Sequence, residues 1–486
     1  MSRTLTRRLA WISAVAVVVL IVGLLVQDFQ IINTENIGKD ASHNVRSSIN
    51  LVKYGIYSGQ PISPEVVPGY RREPLPNFLL AFYLRVANTF SPGLLDNIGR
   101  SFSADFLLFI KQFNLIWAAL LFLGLWLTSA LVFSPLIAAH WLTLPQILLV
   151  NRFFVSKSIN GMNTELIAGV ILIWLGAILV ITSRSRSWRW LLASGSVFGL
   201  VALTKATGAY VALPLLPLVA LLLSGISKRF WPSLLAVALG FAFTVTPWLM
   251  RNQLYFSRPV IAQGGGDVLL IRSVFNQINQ QQFGDAFYAY APRDMRRDLL
   301  GPLMGLSDSD FSCEGRLSVF TRDLECDRRA LEEERFGDVR SFYQRGKRAI
   351  PRNLSLDNDA KKTYALSSFS QHPINALKVS LPIGWRGFWG FRERKWPSII
   401  VNFAAYSALL LAPVFGLIER RASWFMVSIT PLAFFLFYSI FSHFLPRYSA
   451  PLAPSAVICL TMLLVDLFAR LSIYVRPGKA SLVSLS

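Results

Sequence analysis

Outside the polar stretch 251–396 the chain has ten acidic residues: Asp28, Glu35, Asp40, Glu65, Glu73, Asp96, Asp105, Glu165, Glu419 and Asp466. A carboxylate beside a long apolar run is costly unless paired or solvated, so each one is a candidate for function. Asp28, Glu35 and Glu65 read as solvated loop carboxylates, whereas Asp40 and Glu165 open helical stretches. The cations show a matching pattern. Lys205, Arg251 and Arg447 stand alone at the ends of apolar runs, and Arg71 and Arg72 precede another. A carboxylate can orient or deprotonate an acceptor hydroxyl, and fixed cations can hold a departing anion, Arg through a bidentate fork and Lys as a point charge. Any one of these cations alone would also suit a residue snorkelling towards lipid headgroups. Five of them on unrelated runs fit that explanation less well.

After Asp40 the apolar positions Val45, Ile49 and Val52 follow helical spacing, and Gly55 suits a C-cap. The expectation is a short amphipathic helix on a membrane surface, with Asp40 at its N-terminal end, where the helix dipole favours the anion and restrains its basicity. His43, three residues on, either shares that face or is a solvated interfacial residue. Glu165 is either a second carboxylate of one site or an N-terminal helix charge capped by Thr164. The four histidines show no paired spacing, so no ligand pattern supports a divalent metal. Gly264-Gly265-Gly266 lacks the strand and helix of a phosphate loop. No nucleic-acid module is present either.

The elements that must position these residues follow from composition. Of 486 residues 53% are hydrophobic and only 15% charged, yet the net charge is +21. A soluble globular chain carries about a quarter charged residues, and a disordered chain would be poor in Leu, Val and Phe. An all-α polytopic membrane protein is the expectation. Apolar segments lie near 9–26, 75–90, 112–133, 166–182, 190–204, 206–224, 231–250, 397–418, 424–442 and 448–469, with 134–150, broken by Pro135 and Pro145, either re-entrant or a further span. Ten spans put both termini in the cytoplasm. The short loops then assigned there, with Arg3, Arg7 and Arg8, hold Arg100, Lys111, Arg184, Arg186, Arg189, Lys228, Arg229, Arg420, Arg421, Arg470, Arg476 and Lys479, against Asp96, Asp105, Glu419 and Asp466.

Three regions result: a membrane module over 1–250 that includes an outer loop 27–74, an extracytoplasmic insertion over 251–396, and further spans over 397–486. Cys313 and Cys326 fall in the insertion and read either as a disulfide or as two free thiols.

Asp40 in the first outer loop, then Asn50-Leu51 and Gly55-Ile56-Tyr57-Ser58, then Arg71-Arg72-Glu73-Pro74-Leu75, resembles the GT-C glycosyltransferases that use polyprenyl-phosphate sugars. That family includes the protein O-mannosyltransferases and the lipid A aminoarabinose transferases. Thr164-Glu165-Leu166, Leu203-Thr204-Lys205, Pro247-Trp248-Leu249-Met250-Arg251-Asn252 and Pro446-Arg447-Tyr448 extend the resemblance, and their order along the chain carries it. It implies a bundle of about 10–13 helices whose first outer loop bears amphipathic helices, in the inner cell membrane, with an extracytoplasmic active site. It implies inverting transfer from a polyprenyl-phosphate sugar donor to a lipid, glycan or protein acceptor. Asp40 matches the base and Glu165 a second carboxylate. Lys205 and Arg251 match donor-phosphate positions, Arg72 roughly and Arg447 most loosely; beside the resemblance, Arg71 is a further candidate for the phosphate by its place before the second apolar run, and His43 for the substrate or for support of Asp40. Asp40 is followed by Ala41 where many members have a second acid, so metal use does not carry over, and Glu73 has no counterpart. A lipid-linked-substrate flippase would share the polytopic pattern but place its charges near the midplane. A glycan ligase or polymerase using a lipid carrier would share the anion chemistry, and an inactive partner subunit would share the sequence alone.

Overall fold

With so few polar side chains to solvate it, the chain satisfies its backbone polar groups in helices. In the computed structural model, which describes residues 3–96, 98, 102–225 and 227–475, no strand occurs among the described residues. Two compact units form: residues 1–263, 405–432 and 451–486, and residues 264–404 with 433–450. Arg100, Arg476 and Lys479 lie outside the described residues.

In the first unit, α1 (Arg3–Gln30) leads to α2 (Lys39–Tyr54), the amphipathic helix expected after Asp40. Val45 and Ile49 are fully buried. Gly55 closes the helix at φ +69°, a left-handed conformation that spares glycine any Cβ clash, and its N–H reaches the carbonyls of Asn50 and Leu51. Next come α3 (Pro74–Phe90), α4 (Ala104–Val132) and α5 (Leu136–Val150), the last continuing through a π turn at Asn151–Val155 to Ser158. Four more follow: α6 (Glu165–Ser185), α7 (Trp188–Thr204), α8 (Thr207–Ser224) and α9 (Phe230–Phe256).

The structure departs from the expected spans at residues 75–90 and bears on the open reading of 134–150. Residues 75–90 were expected to cross, but α3 lies alongside α2. The Ser48 hydroxyl donates to the Asn77 carbonyl near the start of α3 (3.0 Å), and Lys53 at the end of α2 donates to the Leu95 carbonyl just past its end (2.7 Å). The chain therefore returns to α4 at the same end of the bundle. There the buried ammonium of Lys111 donates to the Asn33 and Glu35 carbonyls (2.7 and 2.8 Å) and to the Asn33 side chain (2.8 Å). Lys111 thus stands with the 31–35 segment, where the cytoplasmic assignment had separated them. Asp105, one and a half turns earlier on α4, goes with it.

At 134–150 the structure has a long helix. The helix over 136–158 runs beside α1 along its length, with His140 Nδ1 2.8 Å from Ser13 Oγ and the Ser156 hydroxyl donating to Asp28 (2.9 Å). Asn160 then donates to the Ile31 carbonyl (2.9 Å) and accepts from the Asn33 N–H (3.0 Å). Residues 136–158 form one long helical stretch, which favours a further span over a re-entrant segment. Asp28 is correspondingly not a solvated carboxylate: α1 runs on past it to Gln30, and the contact with the end of α5 buries it completely.

Among the described residues eight helices are long and apolar enough to span a membrane. They include α15 (Trp396–Ile418), α16 (Ala422–Phe441) and the stretch containing α17 (Ala453–Val475), numbered after the helices of the second unit. α7, with 17 residues, is a shorter apolar helix, and the 136–158 stretch is a further helix of membrane length interrupted by its π turn. The chain is a multi-pass, all-α membrane protein. At the end away from residues 31–35, Arg421 pairs with Glu419 (3.0 Å) and Asp466 (2.8 Å), and Arg470 pairs with both acids.

The closest helix contact in this unit is between α7 and α9. A Cβ on Gly195 would lie 1.9 Å from the Val237 carbonyl oxygen, and one on Gly240 would lie 2.1 Å from that of Leu192. The backbones therefore touch directly, as small residues allow in membranes, where packing replaces the hydrophobic drive. The two helices run in the same direction, which brings Lys205 and Arg251 to the same end of the pair.

The second unit contains α10 (Gly265–Phe275), α11 (Gln280–Tyr290), α12 (Glu325–Glu332), α13 (Asn358–Gln371) and α14 (Pro373–Phe388), joined by short turns. Cys313 and Cys326 form a disulfide. Arg251 to Phe256 belong to α9, so the unit starts after the spanning helix and not at residue 251.

Candidate active site

Asp40 sits in the first turn of α2, and Arg72 forms an ion pair with it from the segment leading into α3. Burial leaves the Asp40 side chain 45% exposed and that of Arg72 21%. Tyr57 fixes that segment. Its hydroxyl donates to the carbonyl oxygens of Arg72 (2.9 Å) and Glu73 (3.1 Å) and accepts from Asn77 Nδ2 (2.7 Å). Burial pushes the Tyr57 phenol well above its ordinary range, so it stays a donor.

Glu165 is the first residue of α6, and Thr164 makes no capping hydrogen bond to that helix. Its carboxylate lies 3.6 Å from Lys205 Nζ, with side chains only 14% and 17% exposed. Glu165 Oε2 is buried without a hydrogen-bond partner. Lys205 occupies the extended residue at the end of α7, just before α8 begins at Thr207.

Glu73 joins the two acid–cation pairs. Its Oε1 accepts from the Ala206 N–H (3.4 Å), so the segment that carries Arg72 is tied to the one that carries Lys205. Sequence reasoning left Glu73 without a role because its partner is a backbone group far along the chain.

Arg251 lies 4.7 Å over Trp248, 5.1 Å over Tyr255 and 5.6 Å over Tyr57. It donates to the Gly69 carbonyl (2.8 Å), the Asn252 side chain (2.7 Å) and the Tyr57 carbonyl (3.5 Å). It therefore clasps the 57–69 loop to α9. Beside it opens a cavity of about 450 Å³ lined by Tyr57, Phe78, Leu203, Trp248, Arg251 and Tyr255.

His43 Nδ1 lies 2.9 Å from the Gly59 carbonyl. Burial, reinforced by the charges of Arg71, Arg72 and Arg46, holds its imidazole below the usual range. Arg71 is exposed. Arg447 belongs to the second unit, 5.4 Å over Tyr448. Asp40, Glu165, Arg71, Arg72, Lys205, Arg251 and His43 thus share one unit. Sequence reasoning missed Tyr57, Trp248 and Glu73; the Tyr57 signal was its place in Gly-x-Tyr-Ser. No group of three or more His, Cys, Asp or Glu side chains among the described residues is arranged to hold a metal ion.

No known protein family matches the sequence, and no curated protein does. Among solved structures, the chain is similar over 96% of its length to 50% of the Archaeoglobus fulgidus oligosaccharyltransferase crystallised with Zn and sulfate, at 13% identity and a TM-score of 0.48. It is similar over 98% of its length to 53% of the oligosaccharyltransferase AglB of the same organism, in complex with an inhibitory peptide and a dolichol-phosphate, at 12% identity and a TM-score of 0.46. ArnT from Cupriavidus metallidurans in the apo state is similar over 91% of this chain and 78% of its own, at 15% identity and a TM-score of 0.35. The chain spans about half the length of the two oligosaccharyltransferases.

Proposed function

We propose that the chain is a membrane glycosyltransferase of the GT-C type, transferring a sugar from a polyprenyl-phosphate donor to a lipid, glycan or protein acceptor on the extracytoplasmic side of the inner cell membrane. The observation that carries this reading is the linkage of two acid–cation pairs, Asp40 with Arg72 and Glu165 with Lys205, through the single carboxylate of Glu73.

In the proposed reaction the acceptor hydroxyl oxygen attacks the anomeric carbon. The bond from that carbon to the phosphate oxygen breaks with its electron pair on the phosphate, and the hydroxyl proton passes to Asp40. Arg72 orients Asp40, which holds it ionised and limits its basicity. The departing phosphate needs fixed positive charge, which Lys205, Arg71 and Arg251 supply. Glu165, with one oxygen against Lys205 and the other without a hydrogen-bond partner, suits a hydroxyl of the sugar or acceptor. The apolar cavity beside Arg251 suits the first isoprene units of the donor.

The test is Asp40→Asn in the purified, full-length protein with a polyprenyl-phosphate sugar donor. Transfer is abolished while size-exclusion behaviour and melting stay native; transfer at the native rate removes Asp40 as the base.

A further inference from the structure

We propose that the second unit holds a binding site for a phosphate-class oxyanion, built from Arg322, Lys347 and Arg386 around Tyr343 and His443. All of these residues belong to the second unit, and none of the five carries a role in the transfer chemistry.

The three cations converge on one buried aromatic cluster. Arg322 lies 4.1 Å over the Tyr343 ring, and Lys347 lies 5.1 Å over the same ring while donating to its hydroxyl (2.9 Å). Arg386, which is buried, lies 4.6 Å over Tyr290 and donates to the His443 carbonyl (3.1 Å). The His443 ring is 5.5 Å from that of Tyr343 and 5.6 Å from that of Tyr448.

No acid answers this charge. Arg322, Lys347 and Arg386 form no ion pair among the described residues, although most exposed arginines of the same unit do. The charges that act on His443 are those of Arg386, Arg322, Arg447 and Lys347, with no carboxylate among them. Those on Arg386 come from Tyr290, Tyr448 and Tyr343 and from the like charge of Arg322. Burial and these cations hold the His443 imidazole well below its usual range, so it remains neutral. Burial alone would push the Tyr343 phenol up, but the hydrogen bond from Lys347 and the charges of Arg322 and Lys347 outweigh it and bring it below its ordinary value.

Several polar atoms in the cluster are buried with no hydrogen-bond partner: Arg322 Nε, Tyr290 Oη and His443 Nδ1, the last on a side chain only 3% exposed. Orphaned donors beside uncompensated cations are costly in a low-dielectric interior, and a bound anion relieves both costs at once. Two guanidinium forks and one ammonium suit a phosphoryl group, which carries nearly two charges at neutral pH and three acceptor oxygens, better than a singly charged carboxylate. Lys347 is exposed and Arg322 partly so, which gives the anion a route in.

The phosphoryl group could come from a soluble phosphate or from a lipid-linked one, and the experiment has an arm for each. The full chain in phosphatidylcholine nanodiscs is titrated with inorganic phosphate and, separately, with decyl phosphate, with binding read by calorimetry and by the rise in melting temperature. Saturable binding is expected in at least one arm. Arg322→Gln weakens it about tenfold and the exposed Lys347→Gln by several-fold. Loss of decyl phosphate binding alone in Arg322→Gln assigns the group to a lipid; loss of both assigns it to the phosphate itself. Absence of binding in both arms, or affinities equal to native in folded Arg322→Gln and Lys347→Gln, overturns the proposal. Lys347→Gln keeps the test decisive if Arg322→Gln fails to fold.

Discussion

Gly195→Ala tests whether the α7–α9 contact sets the distance between Lys205 and Arg251. The added Cβ would lie 1.9 Å from the Val237 carbonyl oxygen, against at least 3.4 Å for ordinary contact, so the backbones must part by about 1.5 Å. Neither neighbour can yield by rotating, because the obstacle is main chain on a helix. Overpacking of this kind costs about 1–3 kcal/mol. The displacement reaches the ends of both helices, and a shift near 1 Å at a reacting centre costs on the order of a hundredfold in rate. The assay compares melting of the detergent-purified protein with transfer from a polyprenyl-phosphate sugar. Gly23→Ala on α1, where nothing lies within 4 Å of the new Cβ, serves as the control and should melt at or slightly above the native temperature. Native melting and native transfer by Gly195→Ala would refute the reasoning, as would equal damage from the control.

Three other expectations can be checked in the same preparation. A double-mutant cycle on Glu165→Gln and Lys205→Met should give a coupling of about 1–3 kcal/mol in melting experiments, because the pair is largely buried; additive effects would dissolve the pair. Cys313→Ser should cost about 3 kcal/mol and make residues 264–404 sensitive to protease, an effect that reductant reproduces in the native chain but not in the variant. His43 has a folded pKa below its unfolded one, so its contribution to stability is complete above the ordinary imidazole value and is lost as pH falls towards the folded value. Melting temperatures recorded against pH should therefore drop on acidification, and His43→Asn should flatten that slope.

How far the sequence could be read depended on whether the controlling interaction was local. α2 was legible because the spacing of Val45, Ile49 and Val52 and the glycine that follows the helix are local signals. α3 was misread as a span because its 17 residues have the composition of a short crossing helix, and only the long-range bonds from Ser48 and Lys53 set its direction. The stretch 134–150 stayed open between a re-entrant segment and a span because Pro135, Pro145 and the buried His140 and Gln146 interrupt an otherwise apolar run. Asp40 and Glu165 stood out through scarcity. Nothing local could reveal that Arg72 and Lys205 would pair with them, or that Glu73 would reach Ala206 across more than a hundred residues.

Lys111 acts as a mooring post for the segment that carries Asp40. Because its ammonium grips the carbonyls of Asn33 and Glu35, the free tether to Asp40 begins at Glu35 and not at the end of α1. Five residues fully extended reach about 18 Å at most, so the carboxylate can roam only within a tethered radius of that order. A Gly-Ser insertion between Glu35 and Gly38 would lengthen that leash while leaving the packing of α2 and the Arg72 pair to hold Asp40 in place.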